Sequence, residues 1–172
     1  MRRFMFAAVL AGFLLPAAAE AQLPRIMAGG GLSTPTGDFN DLAEVGYHGR
    51  VGLQMGAPAF PLAGRLEGEY HSFGQTTGLP KYKVLNGALS AVLELQGTGI
   101  SPYFLAGIGR YRVDADLEGI EADPTTETGF QGGFGVNIGA LGLGGFAEFR
   151  VIQINMEGSK IRYFPVSVGF RL

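Results

Sequence analysis

The residues best suited to chemistry are two histidines, His48 and His71, and a set of arginines and glutamates that recur in alternating stretches. A serine and a histidine can act as nucleophile and base when their side chains come within hydrogen-bond reach. Ser72 follows His71 directly, but neighbouring residues of an extended strand point to opposite faces. We therefore expect no catalytic residue at this pair, and the chain is predicted not to be an enzyme.

Metal and cofactor sites are not expected either. The chain has no cysteine and only two histidines, which is a poor supply of zinc ligands. The segment 38–41 offers oxygen ligands without the spacing of a calcium loop. The glycine-rich segment 29–37 lacks the Gly-Lys-Ser/Thr ending of a phosphate-binding loop. The formal net charge of −2 gives no basis for a nucleic-acid partner.

The first residues have the layout of a secretory signal peptide. Arg2 and Arg3 precede an apolar run at 4–15, and small residues follow. This run is shorter than the roughly 20 residues that a transmembrane helix needs. We predict that residues 1–21 are a signal peptide removed after Ala21, which leaves 22–172 as one domain. Cleavage after Ala19 and an uncleaved anchor are the alternatives.

Beyond this leader the sequence alternates with the period of two that is typical of strands. Charged residues make up only 16% of the chain, against about 25% in ordinary soluble domains. An exported chain poor in charge can enter a membrane as a closed barrel, in which every backbone group finds a partner. The alternating stretches lie at 24–33, 46–57, 62–73, 82–95, 101–113, 128–140, 143–154 and 162–172.

One of these stretches also fits another structure. Residues 83–96 carry apolar side chains at positions 85, 88, 89 and 92, which suits a helix as well as a strand. We interpret this segment as a strand because a closed meander needs one here.

The connections between the stretches alternate in length. Those at 57–61, 95–99 and 140–143 are short, whereas those at 34–45, 74–81, 114–127 and 156–161 are mostly longer and more polar. Outer-membrane barrels have short periplasmic turns and longer external loops. The predicted fold of 22–172 is therefore all-β, an eight-stranded antiparallel up-and-down transmembrane β-barrel.

Most of the strand charge falls on one of the two parities, and it consists of arginine and glutamate without lysine. Arginine is preferred in buried ion pairs because its planar fork grips a carboxylate with two hydrogen bonds. This favours a charged interior and an apolar exterior. In 101–113 the same rule puts Arg110 and Arg112 inside and turns Tyr103 and Tyr111 outward. The predicted interior network is Arg50, Arg65, Glu67, Glu69, Glu94, Arg110, Arg112, Glu148 and Arg150.

The last strand alternates to the final residue. The leader, the eight stretches, the opening "GGGLSTPTGDF" followed by "GYHGRVGLQ", and this last strand together resemble the small outer-membrane β-barrel proteins of the OmpA/OmpX type. The resemblance implies that the barrel assembly machinery reads alternate apolar residues of the last strand, although this chain ends in leucine in place of Phe or Trp. The residues that match are Phe164, Val166, Val168, Phe170 and Leu172.

The expected function follows from the size of such a barrel. Eight strands leave an interior just wide enough for side chains, so we expect a plugged polar lumen and a structural or surface-interaction role through the external loops. The expected location is the outer membrane, with outer-membrane lipid and the barrel assembly machinery as partners of a monomer. The alternatives are an exported soluble lipocalin-like barrel that binds a small apolar ligand, and a lipid-modifying barrel enzyme.

Overall fold

A computed structural model describes residues 24–56, 60–75, 77–95, 97, 99–117, 120–121, 123–140, 143–156 and 159–172. The predicted signal peptide at 1–21 lies outside the described residues. The strands are β1 (Arg25–Thr36), β2 (Glu44–Gly56), β3 (Leu62–Gly74), β4 (Lys81–Glu94), β5 (Ile100–Leu117), β6 (Ile120–Glu121), β7 (Thr125–Ala140), β8 (Leu143–Met156) and β9 (Ser159–Arg171).

The strands form one closed antiparallel sheet. Each long strand pairs with the next long strand in the chain, β4 pairs with β5, and β1 pairs with β9. The two-residue strand β6 only extends β5 at its loop end. The predicted eight-stranded up-and-down barrel is therefore confirmed. The ambiguous segment 83–96 lies almost wholly within strand β4, and no part of it is helical in the described residues.

The last strand closes the barrel against the first. The pairing of β1 with β9 runs from Met27 opposite Arg171 to Thr36 opposite Arg162. Beyond this ladder, Ile26 and Leu172 exchange two backbone hydrogen bonds of 2.9 Å. The alternation continues to the last residue because this strand is hydrogen-bonded on both sides and leaves no open sheet edge.

The two faces of the sheet differ sharply. Many large apolar side chains point outward, and Phe170 is 74% exposed. The charged side chains in the middle of β2, β3 and β8 point inward, and Arg150 is 0% exposed although it carries a full charge. A water-soluble barrel has the reverse arrangement, with apolar residues inside and polar residues in solvent.

The apolar outer surface is a band of limited height. On β4, β5 and β9 the outward residues are apolar or glycine throughout 85–93, 100–108 and 164–172. Each of these ranges matches the 9–11 residues or so that a tilted strand needs to cross the hydrocarbon layer of a bilayer. The next outward residue toward the long loops is charged, as in Lys83 and Arg110.

A short 3-10 helix, Gly37–Asp41, lies between β1 and β2 and was not predicted. Gly37 begins it with a φ of 60°, a left-handed conformation that favours glycine. The helix turns Phe39 into the barrel, where the ring is fully buried. Among the described residues, no helix is long and apolar enough to cross a membrane.

Candidate functional site

Three arginines and three glutamates meet in the middle of the barrel interior. They project from the inward parity of β2, β3 and β8, and at most 2% of each side chain is exposed. The opposite charges are equal in number, so the cluster carries no net charge. Its members, all predicted from the sequence, are Arg50, Arg65, Glu67, Glu69, Glu148 and Arg150.

Glu148 is the centre of one half of this cluster. Its carboxylate accepts hydrogen bonds from Arg50, from Nη1 of Arg65 at 2.5 Å and from the hydroxyl of Tyr103 at 2.6 Å. Nε of Arg150 lies 3.0 Å from the same carboxylate. A buried carboxylate is costly to desolvate, and here three guanidinium groups and a phenol offset that cost.

Arg150 is the centre of the other half. It donates to Glu69, to Glu67 at 3.4 Å and to Oε1 of Gln131 at 3.1 Å. The amide nitrogen of Gln131 donates in turn to Glu67 at 2.5 Å and to the hydroxyl of Ser90 at 2.7 Å. Neutral side chains thus supply part of the hydrogen bonding of the buried ions.

The predicted residue Glu94 belongs to a separate cluster near the short turns. Its carboxylate accepts from Arg171 at 2.7 Å and from Arg25 at 3.2 Å. It also accepts from the side-chain amides of Gln54 at 2.9 Å and Asn137 at 3.0 Å. The side chain of Glu94 is 21% exposed, so this cluster is more open to solvent than the central one. Glu94 therefore ties the seam between β1 and β9 to strand β4 across the interior.

Both histidines lie in a layer between the ion cluster and the long loops. The hydroxyl oxygen of Ser33 is 3.0 Å from Nδ1 of His48 and 2.9 Å from Nδ1 of His71. Nε2 of His48 is 2.8 Å from the hydroxyl of Ser167, and Nε2 of His71 is 3.2 Å from Glu69. Two serines and one carboxylate therefore use every ring nitrogen.

The order Ser33–His71–Glu69 is that of a nucleophile, a base and an orienting carboxylate. Ser33 and His71 are nevertheless 0% exposed, so no substrate reaches the hydroxyl in this conformation. Ser72, the neighbour considered from the sequence, lies on the other parity opposite Tyr47. Only the register of β1 on β2 reveals Ser33 as the partner, and the sequence carries no local signal for it.

Apolar side chains fill the interior at the long-loop end, where the sequence predicted a polar lumen. The ring of Phe39 packs at 5.0 Å from Phe73 and 5.4 Å from Tyr82, and Phe73 packs at 5.2 Å from Tyr163. This apolar cap consists of Phe39, Ala43, Phe73, Val84, Tyr111, Val113, Ile152, Ile154, Ile161 and Tyr163, with Tyr82 and Met156 packed against it.

Arg110 and Arg112 do not belong to the interior network, which corrects the prediction. Both are exposed on the outer face of β5. Arg110 donates to the hydroxyl of Thr128 at 3.1 Å and to the backbone oxygen of Thr126 at 3.3 Å. Arg112 donates to Asp114 at 3.2 Å. Both arginines lie beyond the apolar band of β5, on the side of the long loops.

The inward residues of β5 are tyrosines, and glycines on the neighbouring strand make room for them. Tyr103 is paired with Gly135, where an added Cβ would lie 2.5 Å from the phenol ring. At Gly129 a Cβ would lie 2.6 Å from the ring of Tyr111. The expectation that these tyrosines face outward was therefore wrong, because glycines of β7 beside their rings leave space for large inward side chains.

The five residues of the predicted assembly signal lie on the outer face of β9. Val166, Val168, Phe170 and Leu172 are exposed. Phe164 is half-buried, and its ring centre is 5.7 Å from that of Phe149. The residues form one continuous apolar stripe along the strand that closes the barrel.

Metal binding finds no support in the parts of the chain that the structure describes. They contain no group of three or more His, Cys, Asp or Glu side chains that could hold a metal ion. In the central cluster, arginines balance the charge of the carboxylates.

A closed barrel with an apolar outer band and a charged, hydrogen-bonded interior defines the class of membrane-spanning β-barrels. Residues 5–169 match the profile of the outer membrane protein beta-barrel domain, and the chain belongs to this family. No protein with a curated description matches the sequence.

Solved structures of the same fold agree with this assignment. Neisserial surface protein A is similar with a TM-score of 0.72 and 17% identity, over 89% of this chain and 98% of that one. The outer membrane enzyme PagL has a TM-score of 0.59 and 18% identity, over 84% and 97%. Ail, the attachment invasion locus protein of Yersinia pestis, has a TM-score of 0.55 and 12% identity, over 88% and 100%. At these identities the similarity establishes the fold.

Proposed function

We propose that this protein is a non-enzymatic outer-membrane barrel whose interior is closed to solutes and whose external loops carry its interactions. Its role is structural or adhesive. Two of the similar folds belong to a surface protein and an attachment protein, which supports a surface role without defining a partner.

The proposal of a closed interior rests on one observation: side chains fill successive layers of the barrel interior. The central ions are at most 2% exposed, and they bond across the barrel from β3 to β8. The apolar cap occupies the long-loop end above them. A solute would have to break several ion pairs and displace packed rings, both of which are costly.

The apolar outer band supports a membrane-embedded barrel over an exported soluble one. A soluble barrel would expose the rings of Phe104, Phe130, Phe134 and Phe170 to water, and an exposed apolar surface of that extent is typical of a membrane or partner surface. The interior also offers an apolar ligand few partners, because ion pairs line its centre.

Export and assembly complete the proposal. The signal peptide at 1–21 would direct the chain out of the cytoplasm and be removed. The outward stripe from Phe164 to Leu172 would be read by the barrel assembly machinery during insertion. The mature protein would act as a monomer, because its sheet closes on itself and leaves no strand edge for a second copy.

Conductance across a planar bilayer tests the closed interior. The mature wild-type protein, checked as folded by its heat-dependent gel mobility, is expected to add no ion conductance to the bare membrane. The double variant Arg50→Ala/Glu69→Ala is the matched comparison, since it removes two side chains paired in register without changing net charge. Stepwise conductance from the folded wild-type protein would contradict the proposal.

A second candidate is a lipid-modifying enzyme, favoured by the order Ser33–His71–Glu69 and opposed by its burial. A serine-directed fluorophosphonate probe separates the two functions. Wild-type protein is expected to remain unlabelled in detergent and in vesicles. Labelling that disappears in Ser33→Ala and persists in Ser167→Ala would replace the non-enzymatic proposal with the enzymatic one.

A further inference from the structure

The outer surface changes from apolar to basic at the upper edge of the apolar band, which is the edge that lies toward the long loops. On the lower part of the barrel wall the described outward side chains are apolar or glycine, whereas cations gather on β4, β5 and β9 directly above the band. This is the level at which lipid headgroups meet a membrane protein. The outward cations are Lys81, Lys83, Arg110, Arg112, Lys160 and Arg162.

Two of these cations lie close together on one strand. Arg110 and Arg112 project from the same face of β5 and are therefore separated by about 6.6–6.8 Å along the strand. Thr128 is paired directly with Arg110 and presents its hydroxyl to that guanidinium at 3.1 Å. The two oxygens that accept hydrogen bonds from Arg110, on Thr126 and Thr128, are neutral and do not balance its charge.

The surface beneath this pair of arginines is apolar. Ile108 is the next outward residue of β5 and is paired with Phe130 on β7. Both side chains are about half exposed. A molecule lying along this part of the wall would therefore meet two guanidinium groups and a hydroxyl at one end and hydrocarbon at the other.

We propose that Arg110, Arg112 and Thr128 bind the phosphate of a membrane lipid, whose acyl chains lie on Ile108 and Phe130. Guanidinium groups bind phosphate oxygens with strong charge-assisted hydrogen bonds. The adjoining apolar surface selects a lipid over a free anion. Arg112 also donates a hydrogen bond to Asp114, which partly balances its charge. Arg110 is therefore the principal ligand of the phosphate. The inference rests on the membrane placement of the family and is independent of the closed interior.

Counting bound lipid by intact-complex mass spectrometry tests this site. Mature protein in maltoside detergent without divalent cations is titrated with dioleoyl phosphatidic acid, and with dioleoylglycerol as the headgroup-free control. Wild-type protein is expected to bind phosphatidic acid at least about tenfold more tightly than Arg110→Gln/Arg112→Gln, because two charge-assisted contacts are lost. Thr128→Val is expected to cause a smaller loss. Heat-dependent gel mobility checks that each variant is folded.

The double variant Lys160→Gln/Arg162→Gln is the matched control. It removes the same charge at the same edge of the band on β9, and is expected to keep wild-type affinity. Equal losses in the two double variants would mean general charge attraction and would overturn the site. Equal binding of dioleoylglycerol, or displacement of the lipid by an equal concentration of inorganic phosphate, would overturn the lipid assignment.

Discussion

Arg65 and Glu148 bond across the barrel: Nη1 of the arginine lies 2.5 Å from Oε2 of the glutamate, although three strands separate β3 from β8 in either direction. The two strands therefore lie on opposite sides of the barrel, facing each other across the interior. A contact between them crosses the interior, which in an eight-stranded barrel is just wide enough for side chains to fill. Arg50 and Arg150 also contact the carboxylate of Glu148, and Arg150 contacts Glu69 as well.

Replacement of Glu148 by glutamine is expected to destabilise the barrel strongly. The change keeps the shape of the side chain but leaves the buried guanidinium groups of Arg50 and Arg65 without their shared anion. Breaking a buried ion pair in this way costs about 3–5 kcal/mol. Urea-dependent unfolding in lipid vesicles measures the loss.

Asp114→Asn is the control for that measurement. It makes the same chemical change in the ion pair with Arg112, where the arginine side chain is 54% exposed. An exposed pair contributes about 0–1 kcal/mol. Similar losses in Glu148→Gln and Asp114→Asn would show that the central cluster does not stabilise the fold.

Alanine at Gly129 is expected to cost about 1–3 kcal/mol, since an added Cβ would lie 2.6 Å from the ring of Tyr111. Alanine at Gly49 is the comparison, because a Cβ there meets nothing within 4 Å. That change is expected to be neutral or slightly stabilising. Unfolding free energies of both variants, and of Gly129→Ala combined with Tyr111→Leu, test the explanation. The combination should lose less than the sum of its parts if the ring is the obstacle.

The fold could be predicted from the sequence because its signal is repeated. Eight alternating stretches and alternating loop lengths each support the same architecture, so an error in one strand leaves the whole intact. The buried ions of β2, β3 and β8 could also be predicted from the sequence. In these strands the charged residues alternate with large apolar residues, so the two faces of each strand are easily told apart. Leu66 and Tyr70, for example, lie opposite the parity of Glu67 and Glu69.

The orientation of β5 could not be predicted in the same way because both of its parities carry large side chains. Phe104 and Ile108 on one parity are as apolar as Tyr103 and Tyr111 on the other, and charge at Arg110 and Arg112 decided the assignment. That charge lies above the apolar band and carries no information about the interior. The height of a charged residue along its strand matters as much as its parity.

Contacts that depend on register also escaped prediction. Ser33 meets two histidines from β2 and β3, and Phe39 enters the barrel from a short helix in a loop. Neither residue belongs to a local pattern, since each is brought to its partners only by the pairing of distant strands. The sequence therefore offered no means of singling out either residue before the strand register was known.

Single cysteines test the corrected position of β5. The native chain has no cysteine, so each introduced thiol reports one site. Arg112→Cys is expected to react with a membrane-impermeant maleimide on intact cells, because the side chain lies outside the barrel near the long loops. Ser90→Cys is the buried comparison and should react only after unfolding. Protection of Arg112→Cys, or ready labelling of Ser90→Cys, would contradict the assigned faces.

Alanine at Phe170 is expected to lower assembly in cells while leaving the folded barrel nearly as stable as wild type. The ring is exposed on the outer face of the last strand and fills no space in the interior. A role in recognition by the assembly machinery therefore predicts less folded protein in the outer membrane but normal refolding into lipid vesicles. Phe134→Ala is the matched control, since it removes an equally apolar, exposed ring from β7, away from the last strand. Only recognition by the assembly machinery distinguishes the last strand from the others. Equal amounts of the two variants in the outer membrane would therefore exclude an assembly signal at Phe170. Equal failure of both variants to refold in vesicles would show that the ring contributes to stability.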